Sequence, residues 1–119
     1  MKIKNGLAII GGSGIYDIEG LKNPKWIKVN SSFGEPSDEL LFGNIDERDI
    51  VFLPRHGRGH KIPPSDINYR ANIEILKKVG VKKIISFGAV GSFKESLKPG
   101  SFVLIDQFYD RTINREKSF

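Results

Sequence analysis

Three short stretches hold most of the residues able to do chemistry. "RHGRGH", residues 55–60, sets Arg55, His56, Arg58 and His60 among two glycines. "GGSG", residues 11–14, sets Ser13 between glycines directly after the apolar run Leu7 to Ile10. "FGAVGS", residues 87–92, again ends an apolar run in a glycine-rich turn, with a backbone N–H at Ala89. A guanidinium is a planar fork of donors that matches phosphate oxygens. An imidazole donates one or two hydrogen bonds. A glycine-rich turn after a strand can present backbone N–H groups to an anion. Together Ser13, Arg55, His56 and Ala89 describe an oxyanion site, most naturally for phosphate.

Each stretch also has a plainer reading. In "GGSGIYD" the spacing Gly12-x-Gly14-x-x-Asp17 is not G-x-G-x-x-G, and no Gly-Lys-Ser/Thr follows to make a P-loop. A tight strand-to-helix turn accounts for it equally well, and the same holds for "FGAVGS". "RHGRGH" fits an exposed basic loop or an anion site, the anion site being the stronger reading. No metal site is expected. His56 and His60 stand at i and i+4, which share a face only on a helix, and the glycines at 57 and 59 oppose one.

These groups need elements to position them. Residues 7–10 read as a buried strand and residues 25–31 as an edge strand. Residues 39–45 and 49–54 are strands around a hairpin turn at 46–48. Residues 65–79 read as a helix, capped by Ser65 or Asp66 after Pro63-Pro64 and ended by Gly80. On it Ile67, Ala71, Ile75 and Val79 share one face with Leu76 beside them, while Asn68, Tyr69, Arg70 and Asn72 read as solvated or interface groups. Then follow a strand at 81–87, a turn at 88–92, a turn at "KPG" and a strand at 101–106. Near-continuous apolar strands separated by a helix predict an α/β fold with a mixed, largely parallel central sheet. If the strands are parallel, the three glycine turns gather on one rim, outside the carboxyl ends of the strands. No helix pattern follows 101–106 to cover that face. Residues 1–119 therefore read as the N-terminal portion of a single larger domain, its C-terminal portion absent.

Composition narrows the function classes. The 119 residues are 39% hydrophobic and 28% charged, as in one globular domain or a piece of one. There is no cysteine, so disulfides and cysteine chemistry are excluded. No stretch resembles a signal peptide or approaches the length that spans a membrane, so a cytoplasmic protein without a membrane partner is expected. The net charge of +5 is spread over pairs such as Lys77-Lys78 and Lys82-Lys83. Without aromatics interleaved to stack bases, these read as a solvated surface and no nucleic-acid partner is expected.

"IIGGSGIYD", "FGEPSDELLFG", "LPRHGRGHKIPPSDINYRANI", "GAVGS" and "LIDQFYDRT" stand in order along nearly the whole chain. Taken together they resemble the methylthioadenosine phosphorylase branch of the trimeric purine nucleoside phosphorylases, in its N-terminal part. The resemblance implies a nucleoside phosphorylase-like fold, a homotrimer when full length, and transfer of a ribosyl group from a purine to inorganic phosphate. For the methylthioadenosine branch the products are adenine and 5-methylthioribose 1-phosphate, and no cofactor is implied because phosphate is a co-substrate. By resemblance Ser13, Arg55 and His56 hold the phosphate and Ala89 gives it a backbone N–H. Gly88 stands where relatives often carry Ser or Thr, and His60 matches a histidine near sugar and phosphate. No catalytic residue is implied within these 119 residues, because the group that meets the purine N7 lies in the C-terminal part. The fragment alone is then expected to be inactive. A purine nucleoside or methylthioinosine phosphorylase is the alternative within the family; a non-catalytic anion- or nucleotide-binding module is the alternative of another class.

Overall fold

A computed structural model describes residues 2–3, 6–12, 18–116 and 118–119. The chain divides into two compact units, residues 1–88 and 89–119.

The first unit is built on a five-stranded sheet of β1 (Gly6–Gly11), β2 (Lys22–Ile27), β3 (Leu40–Ile45), β4 (Arg48–Pro54) and β5 (Val81–Ser86), in the order β2-β3-β4-β1-β5. The mixed sheet expected from sequence is present. β1 runs parallel to both β4 and β5, whereas β2, β3 and β4 are antiparallel neighbours. The parallel strands are thus the half that carries the glycine turns. β4 is buried along its last five residues, on both faces, which is why "IVFLP" reads as an unbroken apolar run.

The edge strand begins and ends earlier than the 25–31 expected, at Lys22–Ile27. At the β3–β4 hairpin the turn is shorter than 46–48. Asp46 and Glu47 both take positive φ, 46° and 63°, and Arg48 already pairs with Ile45. Two residues in this conformation match the twist of the flanking strands.

The helix expected at 65–79 is α1, Tyr69–Lys78, preceded by a 3-10 turn at Pro64–Asp66. Its cap is Asn68 rather than Ser65 or Asp66, because Ile67 is extended and breaks the run. The Asn68 side chain accepts from the Ala71 N–H at 3.1 Å. Gly80, at φ +93°, ends the helix in the left-handed region, as a glycine there should. The predicted apolar face holds: Ile75, Leu76 and Val79 pack on Ala8, Leu40, Phe42, Val51 and Leu53 of the sheet. Each fully buried aliphatic side chain contributes about 1.5–3 kcal/mol.

Asn68 and Asn72 depart from the sequence reading, since both tie α1 to the segment before β3. Asn68 Nδ2 donates to the Phe33 carbonyl at 2.7 Å. Asn72 is buried, accepts from the Ser37 N–H and donates to Ser37 Oγ, both at 2.8 Å. Two residues on, Glu74 accepts from Ser31 Oγ, the Ser32 N–H and Ser32 Oγ, each at 2.6 Å.

The second unit, residues 89–119, holds no helix or strand among its described residues. The "KPG" turn is present: the Ser101 N–H donates to the Lys98 carbonyl at 3.0 Å and Gly100 takes φ +87°. The strand expected at 101–106 is not formed, and Phe102 and Leu104 are 90% and 98% exposed. Apolar, β-prone sequence alone does not make a strand. The backbone must find a strand to pair with, and among the described residues the sheet comprises β1 to β5 only. Among the described residues no helix is long and apolar enough to cross a membrane.

Candidate functional site

Because β4, β1 and β5 run parallel, their carboxyl ends meet on one rim. The ladder continues past the strands: the Arg55 N–H donates to the Gly11 carbonyl at 3.0 Å and the Phe87 N–H to the Ile10 carbonyl at 2.9 Å. The gathering of strand ends expected from sequence is therefore present for β1, β4 and β5.

Arg55 is the central side chain of this rim. It leaves the end of β4 and crosses β1 toward β5, where Nη1 donates to the Phe87 carbonyl at 2.5 Å. Its Nη2 lies over Gly12, so close that a Cβ built there would stand 2.6 Å away. A Cβ at Gly88 would be 3.9 Å from the same nitrogen, ordinary contact distance. Any residue at position 88 would thus border the guanidinium, and in this chain it offers no hydroxyl.

His56 follows Arg55 and turns inward; it is 6% exposed. Both ring nitrogens are engaged. Nδ1 lies 2.9 Å from the Ile62 carbonyl and Nε2 accepts from Arg55 Nε at 3.1 Å. The loop closes tightly around it. The Gly57 N–H donates to the Pro54 carbonyl at 2.9 Å, the Lys61 and Ile62 N–H groups donate to the His56 carbonyl at 3.0 Å, and Gly57 takes φ +70°. His60 is itself left-handed at φ +54°, and its ring stacks on that of His56 with centroids 4.3 Å apart. The two histidines share a contact without a helix, ring against ring.

Arg58, two residues after His56, points away to other work. Its guanidinium donates to Asp38 and to Glu39, 2.9 and 3.0 Å from the nearest oxygens, and lies 4.1 Å over the Trp26 ring. Its backbone N–H donates to Asp38 Oδ2 at 2.6 Å. Burial pushes the Asp38 carboxyl up, but the hydrogen bonds from Arg58 and from the Glu39 N–H outweigh it and hold the group below its usual range. Asp38 thus fastens the middle of the loop that carries Arg55 and His56. Sequence reasoning passed over Asp38. Its only signal was "PSDE" at 36–39, an acidic pair with no stated partner.

Arg55, His56, His60 and Gly88 are therefore brought together at one strand rim. Ser13 lies outside the described residues, and Ala89 belongs to the second unit. Chemically, the rim offers a cation with its plane braced by a carbonyl and an imidazole and its Nη2 edge beside glycine backbone. That suits a small oxyanion.

A family model described as the phosphorylase superfamily matches residues 7–119. The chain is 58% identical over 113 residues to an S-methyl-5'-thioadenosine phosphorylase of Rhodospirillum rubrum, covering 95% of this chain and 38% of that protein. It is equally identical, over the same length, to one of Bradyrhizobium diazoefficiens, of which it covers 39%. The crystal structure of methylthioadenosine phosphorylase from Schistosoma mansoni in complex with adenine superposes with a TM-score of 0.87 at 47% identity, over 99% of this chain and 42% of that one. The chain spans about two fifths of the length of these relatives. A match over almost every residue, this level of identity and the structural superposition leave one assignment: the chain has the nucleoside phosphorylase fold and belongs to the phosphorylase superfamily.

Proposed function

We propose that this chain is the N-terminal portion of an S-methyl-5'-thioadenosine phosphorylase and carries its phosphate half-site. The carrying observation is the Arg55 guanidinium braced across three parallel strand ends, in a chain 58% identical to proteins of that name. The full protein would break the bond between adenine and the thioribose and give 5-methylthioribose 1-phosphate. No cofactor takes part; inorganic phosphate is the second substrate. The homotrimer and the cytoplasmic setting implied by the resemblance belong to the same reading.

In this mechanism positive charge builds on the ribose as the purine leaves. A phosphate held on the opposite face stabilises that charge and then bonds to the anomeric carbon. Positioning and electrostatics supply most of the acceleration. Arg55 grips the phosphate from the rim and His56 works beside it; the resemblance assigns the Ser13 hydroxyl and the Ala89 N–H to the same phosphate. The group that meets the purine N7 comes from outside these residues.

The test is phosphorolysis by the full-length protein. Adenine should be released from methylthioadenosine in phosphate buffer and not in phosphate-free buffer. A higher kcat/KM for methylthioinosine or inosine would move the assignment to the alternative within the family. Phosphate binding without turnover of any nucleoside would favour a non-catalytic module.

A further inference from the structure

We infer that His56 acts on a bound anion through Arg55, as the residue that sets the direction of the guanidinium, and does so as the neutral Nδ1–H tautomer. The inference rests on the phosphate reading of the rim and goes further into it. A carbonyl can only accept, so the 2.9 Å contact with Ile62 places the proton on Nδ1. An arginine Nε–H can only donate, so the 3.1 Å contact makes Nε2 the acceptor. The two partners fix the same tautomer independently. The ring is 6% exposed and covered by His60, which leaves it little room to turn outward.

The consequence for Arg55 is geometric. A guanidinium carries five N–H groups in one plane. His56 takes the one on Nε and the Phe87 carbonyl takes one on Nη1. Two fixed directions define the plane. Three N–H groups remain, two of them on Nη2, which lies over Gly12. His56 therefore closes the Nε edge and leaves the Nη edge for a ligand. As a direct ligand it would have to give up the Arg55 bond. His56 is a positioning residue.

The experiment has two arms. In a long-range proton–nitrogen correlation spectrum of the labelled full-length protein, Nδ1 of His56 should fall in the protonated range and Nε2 in the unprotonated range. The Arg55 Nε–H should be resolved and slow to exchange with water. An Nε2–H tautomer, or a ring averaging between the two, overturns the inference. In the second arm inorganic phosphate is titrated into the full-length parent protein and three variants. His56→Ala and His56→Asn remove the acceptor at the Nε2 position and should weaken phosphate about tenfold. His56→Gln keeps an oxygen near that position and should restore most of the affinity together with the slow Arg55 Nε–H signal. A glutamine variant as weak as alanine overturns the inference. A full-length parent protein that binds no phosphate would instead sink the phosphate reading, while the tautomer and the Arg55 signal still decide the role of His56.

Discussion

At Gly12 an added Cβ would stand 2.6 Å from Nη2 of Arg55 and 3.1 Å from its Cζ, while the backbone there is outside the left-handed region. The sequence reading took "GGSG" as a turn that presents backbone N–H groups to an anion. Position 12 needs its glycine for the approach of Arg55. Two variants separate grip from fold. Arg55→Ala removes a charge-assisted fork and should cost on the order of 1.5–3 kcal/mol of phosphate affinity. Gly12→Ala should lose a comparable part of that affinity by displacing the guanidinium, with little change in the denaturant midpoint. Calorimetric titration with phosphate checks both. If Gly12→Ala keeps full affinity, the guanidinium has another productive position.

Between elements, helix α1 does more than cover the sheet, and its polar residues show how far the sequence could be read. The apolar stripe Ala71, Ile75 and Val79 was legible because helical spacing alone selects it, whereas Ile67, expected on the same helical face, is buried from an extended residue ahead of the helix. The tie from Asn68 to Phe33 and the buried amide of Asn72 were not legible, because Phe33 and Ser37 lie 35 residues away in sequence. The rim was legible for a different reason. Strand ends are marked by glycine, so three turns could be matched before any pairing was known. The strand at 101–106 failed because pairing is a property of the neighbour. Asn72→Leu should cost about 1–3 kcal/mol of stability by leaving the buried Ser37 N–H without an acceptor, measured by denaturant unfolding.

Glu74 gives the same helix a pH dependence. Hydrogen bonds from Ser31 and then Ser32 lower its carboxyl from 4.5 to about 2. The folded value lies below the unfolded one, so the bonds' contribution is present above about 4.5 and is lost as pH falls toward 2. The stability gap between the parent chain and Glu74→Gln should therefore shrink between these two pH values and stay level above them. A gap that is unchanged down to pH 2 would mean that Glu74 is not the titrating group.

For the whole molecule, the exposed apolar surface sets the behaviour. Ile84 and Ile85 on β5 are 42% and 45% exposed, and in the second unit Phe102, Leu104 and Phe108 are 90%, 98% and 76% exposed. Surface of this kind, with β5 at the edge of its sheet, favours association. The 119-residue chain should sediment as concentration-dependent oligomers and show no phosphorolysis by itself. A monodisperse monomer with a cooperative melt, or an active preparation of verified mass, would count against this. The contact of Arg58 with Trp26 has a practical sequel, for Trp26 is the only tryptophan in the sequence. Arg58 belongs to the loop that begins with Arg55 and His56, and Asp38 holds its backbone. The indole is thus a built-in fluorophore with a cation resting on its face. Any ligand that shifts this loop changes the emission, and an unlabelled sample in a cuvette can report it.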